Sequence, residues 1–158
     1  MKIFTGIDDL ARSTGERLGP TPWITLDQSD IDQFAALTGD HQWVHVDTVR
    51  AASGPFASTI AHGHLVLSLV PGLLQKLYRV DNTKMGINYG LNRVRFITPV
   101  PSGSRLRATA IVVSTTELEG AVQVNLETTI ELDHETSKPA VIAESITRYI
   151  AASNESVV

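Results

Sequence analysis

Apolar positions recur with two different periods along this chain, and the change between them separates a helix-rich first half from a strand-rich second half. Ile31, Phe34, Ala35 and Leu37 repeat at the spacing of one helical face. Ser29, with Asp32 three positions on, predicts where that helix starts, as a weaker relative of the capping box. Gly39 stands where a C′ glycine would end it. Upstream, Ile7 to Leu18 reads as a short polar helix ended by Gly19-Pro20, and Trp23 to Leu26 as a first strand. Asp47 is placed to cap a short helix from Thr48 to Ala52, which stops before Ser53-Gly54-Pro55. The stretch from Leu65 to Tyr78 is apolar on nearly every side at its start, the mark of a helix buried all round, and Pro71 with Gly72 predicts a kink in it.

Beyond Lys84 the period falls to two. Strands are predicted over Lys84 to Ile97, Arg105 to Leu118, Ala121 to Leu132 and Ala140 to Ile150. Turns are expected at Pro99 to Gly103, at Glu119-Gly120 and at Asp133-His134-Glu135. Residues 153–158 read as a frayed tail behind a single domain spanning 1–152. One strand, a buried central helix and four long antiparallel strands predict an α+β domain with the sheet wrapped around the helix. The segment from Ile31 to Ile60 then lies over one end of that layer as a lid.

Composition narrows the picture. A chain of 158 residues can bury a core without staples, and the absence of cysteine excludes disulfides and thiolate metal sites. Thirteen lysines and arginines against seventeen acids give a net charge of −4, with the basic residues scattered, which argues against a nucleic-acid partner. The longest apolar stretch, Leu65 to Leu74, is too short for a bilayer, and Asp8-Asp9 comes too early for a signal peptide. The expectation is a cytoplasmic protein without a membrane partner.

The chemistry gathers in Gly39-Asp40-His41-Gln42-Trp43-Val44-His45-Val46-Asp47 and, further on, Ala61-His62-Gly63-His64. Asp40 and His45 are five apart, ~140° around a helix and on opposite faces of a strand, so they converge only in a shaped loop. A carboxylate and an imidazole gripping one water can take a proton from it and return one, and the carboxylate is expected to fix the histidine's tautomer. Gly63 opens the central helix, whose first N–H groups lack intrahelical partners, and without a Cβ it lets a carbonyl approach its backbone. These are the parts needed to add water across, or remove it from, a double bond beside a carbonyl.

Each residue also has a plainer reading. Asp40 alone reads as a turn residue, His45 alone as a core histidine, and Asp47 as an N-cap before any catalytic support. His41 and Trp43 read as loop packing, and His62 and His64 as loop geometry or pocket lining. His41-x-x-x-His45 with Asp40 and His62 or His64 resembles a metal shell, but Gly39 ends the helix before His41, so no metal is expected.

Gly39-Asp40-x-x-x-x-His45-x-Asp47 followed by Ala61-His62-Gly63 resembles the MaoC-like, (R)-specific enoyl-CoA hydratases, or hydratase 2. The usual motif is Gly-Asp-x-Asn-Pro-x-His-x-Asp-Pro; here Gln42-Trp43 replaces the Asn-Pro pair and Thr48 the second proline. Gly-Asp-His-Gln-Trp, and Asn88 to Asn92 leading into Arg93-Val94-Arg95-Phe96, are closer to the nodulation-protein-N-like branch. The resemblance implies a hot-dog fold, a homodimer, and reversible syn-hydration of a trans-2-enoyl-CoA to an (R)-3-hydroxyacyl-CoA. It implies Asp40 and His45 as the catalytic pair and the Gly63 N–H as an oxyanion-hole donor. His62, His64, Asn88, Tyr89, Arg93 and Arg95 are candidate substrate contacts, the arginines toward coenzyme A phosphates, although an exposed strand arginine is more often only solvated.

No cofactor is implied, coenzyme A being part of the substrate, and acyl carrier protein is an alternative carrier. Ala51, Ala52, Ser53 and Gly54 suggest room for an acyl chain, which Phe56 would close. The rivals are a hot-dog thioesterase and a non-catalytic acyl-binding module. Leu65 to Tyr78 carries no acid of the kind such thioesterases use, and intact Asp40, His45 and Gly63 argue against the binding module.

Overall fold

The computed structural model describes residues 1–133 and 138–152. The first half runs β1 (Lys2–Phe4), α1 (Ile7–Ala11), β2 (Arg17–Leu18), β3 (Ile24–Leu26), α2 (Gln28–Thr38), α3 (Trp43–Val46) and α4 (Thr48–Ala52). Then follow α5 (Gly63–Ser68), α6 (Val70–Leu77), β4 (Tyr78–Val80), β5 (Thr83–Phe96), β6 (Ser104–Leu118), β7 (Ala121–Leu132) and β8 (Val141–Ala151). The four long strands match the predicted ones to within a residue or so. The expected connection at His134 and Glu135 and the expected tail at 153–158 lie outside the described residues.

The main sheet is antiparallel, in the order β2-β6-β7-β8-β5, with β3 pairing β6 beside β2. Alternation explains its two faces: Leu106, Ala108, Ala110 and Val112 on β6, and Val122, Val124, Leu126 and Ile130 on β7, are all buried. They meet Val66, Val70, Leu73 and Leu77 of the central helix in one core. Each Val, Leu or Ile removed from water there contributes about 1.5–3 kcal/mol. This is the hot-dog arrangement that the resemblance implies.

Three expectations are corrected. The first helix stops at Ala11: Ser13 Oγ donates to the Leu10 carbonyl at 2.6 Å, and Gly15 turns the chain at φ +87°. Arg17 and Leu18 instead pair with Ile111 and Ala110, because Leu18 reaches the core only as a strand residue. The lid helix starts at Gln28, not Ser29, capped by Asp27, whose own N–H is accepted by the Asp30 carboxylate at 2.9 Å. That pair has the predicted spacing two residues upstream.

The central helix is neither continuous nor buried all round. It breaks between Ser68 and Val70, and Pro71 sits in the first turn of α6, where its missing N–H costs no helical bond. His64, Ser68, Gly72, Gln75 and Lys76 form an exposed stripe along one side. β5 is likewise an edge strand whose Met85, Ile87, Tyr89 and Leu91 are exposed.

Two local expectations that matter for the site hold. Gly39 ends α2 in the left-handed region, φ +77°, donating to the Ala35 carbonyl at 2.8 Å. Asp47 caps α4, its carboxylate accepting the Arg50 N–H at 2.9 Å.

Candidate active site

Because Gly39 turns the chain sharply out of α2, Asp40 begins the loop toward the single-turn helix α3 and is half exposed, at 54%. His45 points the other way, into the protein, and is 9% exposed. Its Nδ1 lies 2.7 Å from the Ile60 carbonyl oxygen. A carbonyl only accepts, so that nitrogen carries a hydrogen, and in the neutral ring Nε2 then keeps its lone pair. The expectation that the Asp40 carboxylate fixes this tautomer is therefore corrected: a main-chain carbonyl does.

The position of Ile60 relative to His45 is itself held. Gln28 Nε2 donates to the His45 carbonyl and to Asp32 Oδ1, each at 2.8 Å. Its Oε1 accepts the Thr59 hydroxyl in a short hydrogen bond. One amide thus joins the first turn of α2, the backbone of α3 and the strand-like segment carrying Ile60. Gln28 was not singled out from sequence; no local pattern distinguishes it from any other first-turn glutamine.

His62, the N-cap residue of α5, completes the cluster. It is 3% exposed, and its ring stacks on His45 with centroids 3.8 Å apart and planes 26° from parallel. His62 Nε2 lies 2.9 Å from the Asp40 carbonyl oxygen and 3.9 Å from the carboxylate Oδ2. A carboxylate oxygen of Asp40 and one nitrogen from each histidine all lie within 4.8 Å of one another. One water making two hydrogen bonds of about 2.8 Å spans such a gap.

Among the described residues, the same three form the set nearest to a metal shell. His41, on which the metal reading partly rested, is exposed on the loop before α3 and is not among them. One nitrogen of each ring already serves a carbonyl.

Gly63 is the first residue of α5, where the first intrahelical bond runs from the Val66 N–H to the His62 carbonyl at 3.2 Å. Gly63 and His45 line one cavity of about 260 Å³ with Ile60, Val66, Phe96 and Val141. A Cβ on Gly63 would sit 2.9 Å from the Phe96 ring. Packing against Phe96 therefore favours glycine at this position, independently of any role for its N–H.

The remaining candidates lie outside this cluster. His64 is exposed, with its ring 5.4 Å from Phe96. Asn88 and Tyr89 line a groove of about 270 Å³ between β5 and the helix break, and Arg148 stacks on Tyr89 at 3.4 Å. Arg93 and Arg95 are exposed along β5, Arg95 donating to the Val94 carbonyl. Trp43 packs over Gly54 under the Arg50 guanidinium, as loop packing predicts, and Phe56 stands exposed on the lid.

Comparison with known proteins gives consistent neighbours. Residues 9–135 match the model of the MaoC like domain. The chain is 50% identical over 152 residues to 3-hydroxyacyl-thioester dehydratase Z of Mycobacterium tuberculosis, covering 96% of this chain and 100% of that relative. It is 43% identical to nodulation protein N of Rhizobium leguminosarum bv. viciae, covering 88% of each. Among solved structures, the (R)-hydratase from A. caviae involved in PHA biosynthesis superposes with a TM-score of 0.67 at 26% identity, covering 85% of this chain and 94% of that one.

Proposed function

The chain belongs to the MaoC-like domain family, and from that premise we propose that it is an (R)-specific enoyl-CoA hydratase, adding water reversibly to a trans-2-enoyl thioester. One relative is named a 3-hydroxyacyl-thioester dehydratase and one structural neighbour an (R)-hydratase, which supports hydration or dehydration as the coarser activity. The observation that supports the reading is His45, its Nδ1 held by the Ile60 carbonyl, lining one cavity with Gly63 and lying in one cluster with the Asp40 carboxylate.

The chemistry follows from that placement. A water held by Asp40 and His45 attacks Cβ, and its proton passes to the Asp40–His45 pair. The electrons of the double bond move toward the thioester oxygen, where the Gly63 N–H stabilises the enolate; such a donor contributes about 3–4 kcal/mol in the transition state. A proton then returns to Cα from the Asp40–His45 side, so both hydrogen and hydroxyl arrive on one face. Which of the two groups holds the proton between steps belongs to the pair as a unit.

β5 supports the assembly proposed with this reading. Its outer edge offers unpaired backbone groups flanked by exposed Met85, Ile87, Tyr89 and Leu91, a surface on which a second copy can continue the sheet. The protein is therefore proposed to work as a homodimer. Loss of enoyl-thioester absorbance with crotonyl-CoA tests the reaction. Appearance of free thiol without prior hydration would replace it with thioester hydrolysis.

A further inference from the structure

His62 is the residue that touches both halves of the proposed acid–base pair, and nothing in the proposed reaction uses it. Among the described residues, the hydrogen bonds that hold Asp40 are unequal. Its own N–H reaches Thr38 Oγ1 at 3.5 Å, and its carboxylate accepts the Gln42 N–H at 3.4 Å, both at the limit of a hydrogen bond. The His62 bond to its carbonyl, at 2.9 Å, is the short one. A half-exposed aspartate on a loop is thus held chiefly by a buried imidazole 22 residues away.

The ring also packs against its neighbours, tilted at 5.1 Å from Phe34 and stacked on His45. It lies against His45 at 3.8 Å, so the His45 ring cannot tilt out of its plane without displacing His62. Because the Asp40 carbonyl can only accept, the hydrogen of a neutral His62 ring is on Nε2. Nδ1 is then a buried acceptor with no partner among the described residues. Burying an unsatisfied polar atom costs stability, and a phenyl ring would stack there without that cost.

We propose that His62 is a positioning residue for this site, holding the Asp40 turn through Nε2 and the His45 ring through its face. The proposal rests on the hydratase reading above. It acts through the geometry of the pair, for which a displacement of about 1 Å costs on the order of a hundredfold in rate.

The test compares wild type with two variants, each losing one contact and keeping the other. His62→Phe keeps a ring against His45 and loses the donor; His62→Gln keeps an amide donor and loses the ring. Both are expected to melt cooperatively and to hydrate crotonyl-CoA with kcat lowered on the order of a hundredfold and KM close to wild type. A folded variant with wild-type kcat, or with raised KM at unchanged kcat, overturns the proposal, the second result marking a substrate contact instead. Asp40→Asn and His45→Gln in the same assay separate the two claims. If they keep wild-type turnover, the hydratase reading fails; if they are inactive while both His62 variants are unimpaired, only the role of His62 fails. Should the His62 variants not fold, the imidazole ¹⁵N spectrum of the wild type decides. A hydrogen on Nε2 of His62 and on Nδ1 of His45 is expected, and one on Nδ1 of His62 overturns the proposal.

Discussion

His45 gives its Nδ1 hydrogen to the Ile60 carbonyl oxygen at 2.7 Å, and this single contact decides which ring nitrogen is free to act as a base. The two residues are fifteen apart and belong to different segments, so their separation depends on what ties those segments together. Gln28 does this, gripping the His45 carbonyl with its N–H and the Thr59 hydroxyl with its carbonyl oxygen.

Replacing Gln28 with Leu removes that tie at nearly constant volume. The His45 carbonyl and Thr59 hydroxyl lose a partner, which costs about 1–3 kcal/mol. Urea unfolding should show a lower midpoint at unchanged slope, with kcat reduced alongside. An unchanged midpoint would mean that the amide is not holding the segment.

Gly63 and Phe96 make a second coupled pair. Gly63→Ala places a methyl 2.9 Å from the Phe96 ring, and overpacking of this kind costs about 1–3 kcal/mol. Adding Phe96→Ala should recover part of the loss, so the double mutant is more stable than the sum of the single effects allows. Strict additivity would contradict the contact.

Tyr78 and Tyr149 share a hydrogen bond of 2.7 Å at the far end of the central helix. Burial, then the neighbouring Tyr149, holds the Tyr78 hydroxyl far above the ordinary tyrosine range; burial also raises Tyr149, against a lowering by the shared bond. An unfolded chain gives up these protons near pH 10, whereas the folded one keeps them. The unfolded state then binds fewer protons, so stability is full below about pH 10 and falls as pH rises beyond it. Tyr78→Phe should flatten that alkaline decline in denaturant titrations; parallel declines would contradict the assignment.

The exposed side chains of β5 predict assembly. Ile87→Lys together with Leu91→Lys should convert a dimer to a monomer in sedimentation velocity, since charges on an edge strand oppose strand pairing. A wild type that sediments as a monomer would remove the proposed interface.

What was legible in the sequence was local. Gly39, Asp47 and the alternation of β6, β7 and β8 act within a few residues of themselves, and each was found where periodicity and capping placed it. The first helix failed because Leu18 is claimed by pairing with Ala110, a partner that no local pattern reveals. The site divides in the same way. Asp40, His45 and Gly63 stood out by type and spacing, and His45 and Gly63 do share a cavity. The bonds that place them run across 17 residues from Gln28 to His45, 22 from His62 to Asp40 and 31 from Thr59 to Gln28. Such contacts exist only once the lid has folded back on the start of α5. The tautomer of His45 is illegible in the sequence for this reason, its determinant being a main-chain carbonyl rather than a side chain.

The central claim is that Asp40 and His45 together hydrate an enoyl thioester. The most direct measurement is loss of conjugated absorbance from crotonyl-CoA with wild type, Asp40→Asn and His45→Gln, each checked for folding by its melting curve. The account predicts rapid loss with wild type and rates lowered by about 10²–10⁴ in each folded variant. Wild-type rates in either variant, or no loss of absorbance with the wild type, would contradict it.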